Sequence, residues 1–221
     1  CLAIREACDL LRFNNLDNLP IVAGNVSFYN QSGDRPIPAS PIIGCFGKTK
    51  KSVLLKNNFQ HKNSIIYLVG AQHSTLGGSL VCKILKIKNT KVGKLDVAEY
   101  SDALNALLIA NSSRLLESCS YVGLGGLVAS VSKMCFKNSV GCSVNFVEKE
   151  QLFSENLSII VEVKKKNSMD FEKTLKDKGV SFDNIGKTNN TKKIVFDGYI
   201  NTEISLTKNV WKNSLRKRLQ Q

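Results

Sequence analysis

Apolar and polar positions alternate between helical and strand spacings along the chain, with irregular polar stretches between. Leu2, Ile4, Ala7, Cys8 and Leu11 lie on one helix face and predict the end of an amphipathic helix over 2–11. Asn14, Asn15, Asn18 and Pro20 then mark a turn. Residues 21–23, 26–28 and 42–46 read as strands, with Gly33, Pro36, Pro38 and Pro41 punctuating a loop among them. Lys48 to Asn63 is polar and basic without a period, and is read as a boundary between two domains. The run Ile65-Ile66-Tyr67-Leu68-Val69 does not alternate, so it predicts a strand buried on both faces, ending at Gly70.

Beyond it, Leu76-Gly77-Gly78-Ser79 leads into an apolar stretch to Leu85. Asp96 is a good N-cap, and Tyr100, Leu104, Leu107, Leu108, Leu115 and Leu116 are read as one long helix. Gly123, Gly125 and Gly126 precede a second helix carrying Leu127, Val128, Val131, Met134 and Cys135, which Asn138 and Gly141 can end. Residues 142–147 and 157–163 read as strands, 170–178 as a short helix before Gly179, and 194–196 as a last strand. Trp211, Leu215 and Leu219 sit at i, i+4, i+8 and predict a final helix. Strands and helices mix without strict alternation, so the fold class is α+β, a mixed sheet layered with helices. No internal repeat is present.

Composition narrows this little. The apolar fraction of 43% and charged fraction of 22% are those of a globular domain. No apolar run reaches the ~18–20 residues that span a bilayer. The start, Cys-Leu-Ala-Ile-Arg-Glu-Ala-Cys, lacks the basic-then-apolar pattern of a secretory signal; with no initiator Met, the chain is expected to be part of something longer. The net charge of +13 comes from 25 Lys and 6 Arg spread along the whole length, beside 21 Asn. No aromatic residues interleave with the basic ones to stack bases, so a nucleic-acid partner is not expected. The basic run 212–218 reads as a solvated helix end. Seven cysteines, an odd number without Cys-x-x-Cys, point to free thiols in a reducing cytoplasm. His61 and His73 have no partner at zinc-ligand spacing and no local carboxylate.

No nucleophile elbow or Walker-type loop occurs. Gly123-Leu124-Gly125-Gly126 ahead of a helix can either cradle a phosphate with backbone N–H groups or make a tight turn from strand to helix. Leu76-Gly77-Gly78-Ser79 carries the same two readings, its Ser hydroxyl serving as a helix cap or as a phosphate partner. In Gly24-Asn25-Val26-Ser27-Phe28-Tyr29-Asn30, Asn25 and Ser27 share one strand face, which suits either a ligand-lined strand or a solvent-facing edge strand.

This last stretch resembles the Gly-Asn-Val-Ser-Leu-Tyr-Asn segment of the phosphoribosylformylglycinamidine synthase family, and Pro38 to Gly44 resembles the family's Pro-Thr-Pro-Val-Val-Gly, with Ala39-Ser40 altering its start. The resemblance continues in order through Ile65 to Gly70 with the Leu-Gly-Gly-Ser turn, Gly125-Gly126-Leu127 through Met134, Leu152-Phe153-Ser154-Glu155, and Val180 to Lys187. It implies a superfamily, shared with aminoimidazole ribonucleotide synthetase, that pairs an N-terminal ATP-binding domain with a C-terminal α/β domain. Residues 1–55 would be the tail of the ATP-binding domain, 56–200 the C-terminal-type domain and 201–221 a helical tail.

The resemblance implies an ATP-dependent amidoligase of purine biosynthesis that makes formylglycinamidine ribonucleotide from formylglycinamide ribonucleotide. ATP would activate the amide oxygen, and ammonia derived from glutamine would displace phosphate. ATP and Mg2+ would serve the full-length enzyme; its catalytic histidine and main ATP and Mg2+ residues would lie upstream. Its partners would be those upstream domains, a glutaminase and a small-molecule substrate. The residues expected to line a ligand cleft here are Asn25, Ser27, Gly77, Gly78, Ser79, Gly125, Gly126, Ser154 and Glu155, as binding groups; no catalytic or metal residue is expected. Two departures from the family stand out. Ser120-Tyr121-Val122-Gly123-Leu124 replaces an acidic, histidine-bearing segment, and Ile159 follows Ser158 where the family has Arg. Loss of these charges removes groups that bind phosphate or Mg2+, and favours a non-catalytic scaffold half as the alternative. A sibling such as thiamine-monophosphate kinase is a third reading, disfavoured by the Gly-Asn-Val-Ser-Phe-Tyr-Asn wording.

Overall fold

The computed structural model describes residues 2–10, 18–25, 30–38, 40–70, 74–88, 90–145 and 148–220. The chain forms two compact units, residues 1–54 and 55–221.

In the first unit, helix α1 (Leu2–Leu10) follows the predicted spacing. Its Cys8 carbonyl accepts the Leu19 N–H at 3.1 Å. A small hairpin pairs β1 (Gln31–Ser32) with β2 (Arg35–Pro36). Gly33, at φ 58°, sits at the first position of its two-residue loop, where a side chain would be strained. The expected strands at 21–23 and 42–46 do not form. No described strand pairs with either, and Val22, Ile42 and Phe46 stand 84%, 99% and 95% exposed. An apolar run becomes a strand only with a ladder partner and a layer to cover it. The run 26–28 lies outside the described residues.

The second unit is built on a seven-stranded mixed sheet. In chain order its strands are β3 (Ser64–Val69), β4 (Leu116–Tyr121), β5 (Gly141–Val144), β6 (Ile159–Lys164), β7 (Phe182–Asn189), β8 (Lys193–Phe196) and β9 (Ile200–Glu203). Their spatial order is β4-β6-β3-β7-β5-β8-β9, antiparallel throughout except for the parallel pair β5/β8. The helices are α2 (Leu80–Leu85), α3 (Val97–Ser112), α4 (Gly126–Phe136), α5 (Ser168–Asp177) and α6 (Ile204–Leu219).

Strand β3 shows why its run does not alternate. Ile66 and Leu68 pack into one apolar layer with Leu127, Val131 and Met134 of α4. Tyr67 and Val69 pack into the other with Ala103, Ala106 and Ala110 of α3 and Phe171 and Leu175 of α5. Both faces are therefore dry, and each such apolar side chain contributes roughly 1.5–3 kcal/mol by leaving water. The alanines of α3 let that helix lie close to the sheet. Asp96 caps α3, its carboxylate accepting from Glu99 N at 3.0 Å. Helix α6 docks on α4: Ile204 joins the α4 layer, the Lys208 ammonium donates to the Phe136 carbonyl at 2.7 Å, and Trp211 meets the Phe136 ring at 5.6 Å. Among the described residues no helix is long and apolar enough to cross a membrane.

Three strands depart from the expectations. Leu116, read as the end of the α3 helix, instead begins β4, because α3 ends at Ser112 and Arg114 turns the chain at φ 58°. Strand β7 carries Asp183, Asn184, Lys187 and Asn189, with almost no apolar pattern; hydrogen bonding to β3 on one side and β5 on the other makes it a strand. The run 194–196 is not last, since β9 returns against it around Gly198 at φ 71°.

One buried charge anchors the sheet. Glu162 of β6 is 0% exposed, and its carboxylate accepts from the backbone N–H of Gln60 (2.7 Å) and His61 (2.8 Å) and from the Ser118 hydroxyl (2.7 Å). Replacing Glu162 with Leu strands two backbone donors, so E162L is expected to lower unfolding free energy by about 2–5 kcal/mol in urea titration. Burial also pushes the Cys119 thiol from 9.0 up to about 11 and raises the Tyr67 phenol, which donates to Glu172 at 2.7 Å. The folded chain thus favours the neutral thiol. That stability is complete below pH 9 and is lost as pH rises from 9 towards 11. Melting temperature should fall across that window, and less steeply in C119A.

Candidate functional site

Two glycine turns of the same kind open α2 and α4. In Leu76-Gly77-Gly78-Ser79 the Ser79 N–H donates to Leu76 O at 3.0 Å, with Gly78 at φ 77°. In Gly123-Leu124-Gly125-Gly126 the Gly126 N–H donates to Gly123 O at 2.9 Å, with Gly125 at φ 87° and ψ 4°. The third position of such a type II turn needs positive φ, which explains Gly78 and Gly125. Gly77 answers to packing, and Gly126, at φ 72°, to packing and conformation both. A Cβ on Gly77 would lie 2.0 Å from Lys91 O, and one on Gly126 would lie 2.6 Å from the Phe153 backbone.

The Leu152-Phe153-Ser154-Glu155 segment joins the two turns. One oxygen of the half-buried Glu155 carboxylate accepts from Leu80 N at 2.8 Å and from Gly125 N at 2.9 Å. These are the first N–H of α2 and the N-cap N–H of α4. Ser154, 1% exposed, donates to Thr75 O at 3.0 Å just before the first turn. Ser79 caps α2, accepting from Cys82 N at 3.4 Å.

Seven of the sequence-derived site residues, namely Gly77, Gly78, Ser79, Gly125, Gly126, Ser154 and Glu155, therefore gather around one carboxylate. Their chemistry is that of an anion cradle, two helix N-terminal N–H groups aimed at one oxygen, with the chain's own Glu155 as the anion. Asn25 lies exposed in the first unit. Ser27 lies outside the described residues.

Of the two departures from the family pattern, Ile159 and, within the 120–124 segment, Val122 are built into the core, while Tyr121 and Leu124 are exposed. Ile159, 3% exposed, packs with the α3/α5 layer, and Val122, 1% exposed, packs under α4. Val122 N donates to Ser158 O at 2.7 Å.

A further cluster has no local signature in the sequence. His61 Nε2 lies 2.8 Å from Glu117 Oε2, and Lys164 Nζ lies 2.9 Å from Glu117 Oε1. His61 and Glu117 are 56 residues apart; the β4/β6 pairing, the Lys56–Ser118 bridge and the Glu162 clamp on His61 N bring them together. Among the described residues, no three His, Cys, Asp or Glu side chains gather as a metal site.

The family model for AIR synthase related protein, C-terminal domain, matches residues 62–198. The chain belongs to this family. It is 34% identical over 192 residues to the phosphoribosylformylglycinamidine synthase subunit PurL of Campylobacter lari, which covers 84% of this chain and 25% of that protein. To the Lactobacillus helveticus subunit it is 30% identical over 97% of this chain and 29% of that protein. The chain thus spans about a quarter of the length of the curated relatives it matches. In fold it resembles Thermotoga maritima PurL complexed with FGAR, at TM-score 0.59 and 17% identity over 71% of this chain and 29% of that one. The α+β sheet with helices is the fold of this C-terminal domain family.

Removing the Glu155 carboxylate leaves the Leu80 and Gly125 donors without their partner. E155A is expected to cost about 1–3 kcal/mol in urea unfolding, and E155Q less than half of that, because the amide oxygen still accepts. G126A, strained in φ and crowded by the 152–153 backbone, should cost roughly 2–4 kcal/mol in the same measurement.

Proposed function

We propose that this chain is the C-terminal portion of a phosphoribosylformylglycinamidine synthase, which converts formylglycinamide ribonucleotide to the amidine with ATP and glutamine-derived ammonia. The observation that carries the reading is 30–34% identity to synthase subunits over 84–97% of this chain. The convergence of the Leu-Gly-Gly-Ser, Gly-Gly-Leu and Leu-Phe-Ser-Glu segments on one cradle supports it, because a site spread over three distant segments gives that order of motifs a physical reason.

On this reading residues 1–55 are the tail of an ATP-binding domain, 56–200 the C-terminal-type domain and 201–221 its helical tail. The chain's own contribution is positioning. Backbone donors at the starts of α2 and α4 hold an anionic oxygen, and a phosphate of substrate or nucleotide would take the place of the Glu155 carboxylate. Magnesium does not fit these residues. Glu155 is engaged by two N–H groups, and among the described residues no three His, Cys, Asp or Glu side chains gather as a metal site. On this reading ATP and Mg2+ serve the upstream part of the full-length enzyme, and the partners are those upstream domains and a glutaminase.

A second reading, a scaffold half that performs no chemistry, draws on Ile159, whose buried place in the apolar layer leaves no cation where the family has Arg. One assay separates the two: ammonia-driven ADP release with formylglycinamide ribonucleotide and magnesium-ATP, on this chain alone and on the chain joined to its upstream coding sequence. The expected result is activity in the joined protein only. Turnover by the isolated chain would overturn the assignment of the catalytic groups to the upstream part, and inactivity of both would favour the scaffold.

A further inference from the structure

The face of the sheet away from α4 and α6 is only partly covered. The α3/α5 apolar layer takes side chains from β3, β4, β6 and the start of β7, but none from β5 or β8 among the described residues. At its margin a cleft of about 500 Å³ opens, lined by Asn63, Ser143, Asn145, Lys165, Asn184 and Lys187 over a floor that includes Ile65. It shares no residue with the Glu155 cradle.

The register explains how these groups meet. Lys187 lies directly opposite Ile65 on β3 and Ser143 on β5, so the three side chains share one face. Asn184 lies opposite Tyr67, two residues along the same face of β3. The ladder shifts between Ile66 and Tyr67, placing Ile185 without a β3 partner, so Asn184 and Lys187 reach the same face although three residues apart. At the end of the sheet Ser64 pairs with Lys164, which brings the neighbouring Asn63 and Lys165 together.

Polar residues at such places are unusual. Strand β7 is the central strand of seven, hydrogen-bonded on both sides, and the middle of a sheet is where apolar side chains collect. Here it presents an ammonium and a carboxamide instead. Neither Lys165 nor Lys187 forms an ion pair with a carboxylate among the described residues, whereas the neighbouring Lys164 is bound to Glu117. Among the described residues no acidic side chain lines the cleft. Asn184 Oδ1 accepts from Gly186 N at 3.2 Å, and Ser143 Oγ accepts from the Asn189 amide at 3.0 Å. These bonds leave the Asn184 amide and the Ser143 hydroxyl as donors.

We propose that this cleft binds the phosphate monoester of a small polyhydroxylated molecule, a sugar phosphate or a mononucleotide. Lys165 and Lys187 take the phosphate oxygens, and the carboxamides of Asn63, Asn145 and Asn184 take the hydroxyls. Two uncompensated ammonium groups beside neutral donors select a compact dianion. The volume exceeds that of a bare phosphate and suits a small-molecule ligand, and its concave form excludes a duplex.

Calorimetric titration of the 221-residue chain with ribose 5-phosphate, 5′-AMP and inorganic phosphate tests this, beside the variants K165Q, K187Q and the double variant. Far-UV circular dichroism checks that the fold is intact, as expected for exposed side chains. Saturable binding of the esters is expected, at least tenfold tighter than inorganic phosphate. It should weaken at least tenfold in the double variant and weaken with added salt. The ratio of ribose 5-phosphate to 5′-AMP affinity then tells sugar phosphate from nucleotide. Absence of saturable ester binding, equal affinity for all three anions, or undiminished binding by a folded double variant would each overturn the proposal.

Discussion

A fully buried carboxylate fixes where the sheet begins. Glu162 lies in β6 between β4 and β3, and its three donors come from the lead-in to β3 and from β4. A charge held there without donors would cost several kcal/mol; with all three in place, the path of residues 58–62 follows. That path sets the start of β3, and β3 separates the two apolar layers. The same device recurs at Glu155, where backbone N–H groups again satisfy a carboxylate. The difference is exposure. Glu162 has no route to water, so its role is architectural. Glu155 is half-buried at the lip of two helices, where one anion can be exchanged for another.

The elements legible in the sequence were those whose reason is local. Asp96 capping α3, the two-faced apolar run of β3 and the glycines ahead of α4 each carry their signal within a few residues. What escaped was set by distant partners. Strand β7 has polar residues at most positions and exists because β3 and β5 flank it. Strand β4 follows Leu115 so closely that its first leucine continues the helical spacing. Strand β9 has one local signal, the turn-forming Asp197-Gly198 ahead of it. The site was legible in another way: spacing alone left the glycine turns equally suited to packing or to ligand, and the resemblance singled them out. The structure gives Gly77 and Gly126 a packing reason and Gly78 and Gly125 a conformational one. The His61–Glu117 pair had no local signature at all.

The two faces of the sheet divide the labour. Helices α4 and α6 cover one face from β6 to β8 with a continuous apolar layer, which gives the unit its stability. Helices α3 and α5 cover less of the other, and polar chemistry appears on the central strand where they stop. Recognition sites on layered α/β domains commonly sit at such margins, where rigid strands present side chains to an opening rather than to a helix.

The one parallel contact, β5 against β8, orders the folding of the chain in time. The two strands are joined through β6, α5 and β7, and β7 must itself lie beside β5 before β8 can take the far edge. A ribosome that has released residues only as far as β6 has delivered the neighbouring strands β4, β6 and β3 with α2, α3 and α4, while β5 still lacks both its neighbours and the central strand is missing. The pairings that bring β5 into the sheet therefore wait for β7 and β8. Until they arrive the apolar face of α4 closes only on β3 and β6, and the part of that layer which β5, β7 and β8 complete stays open to water.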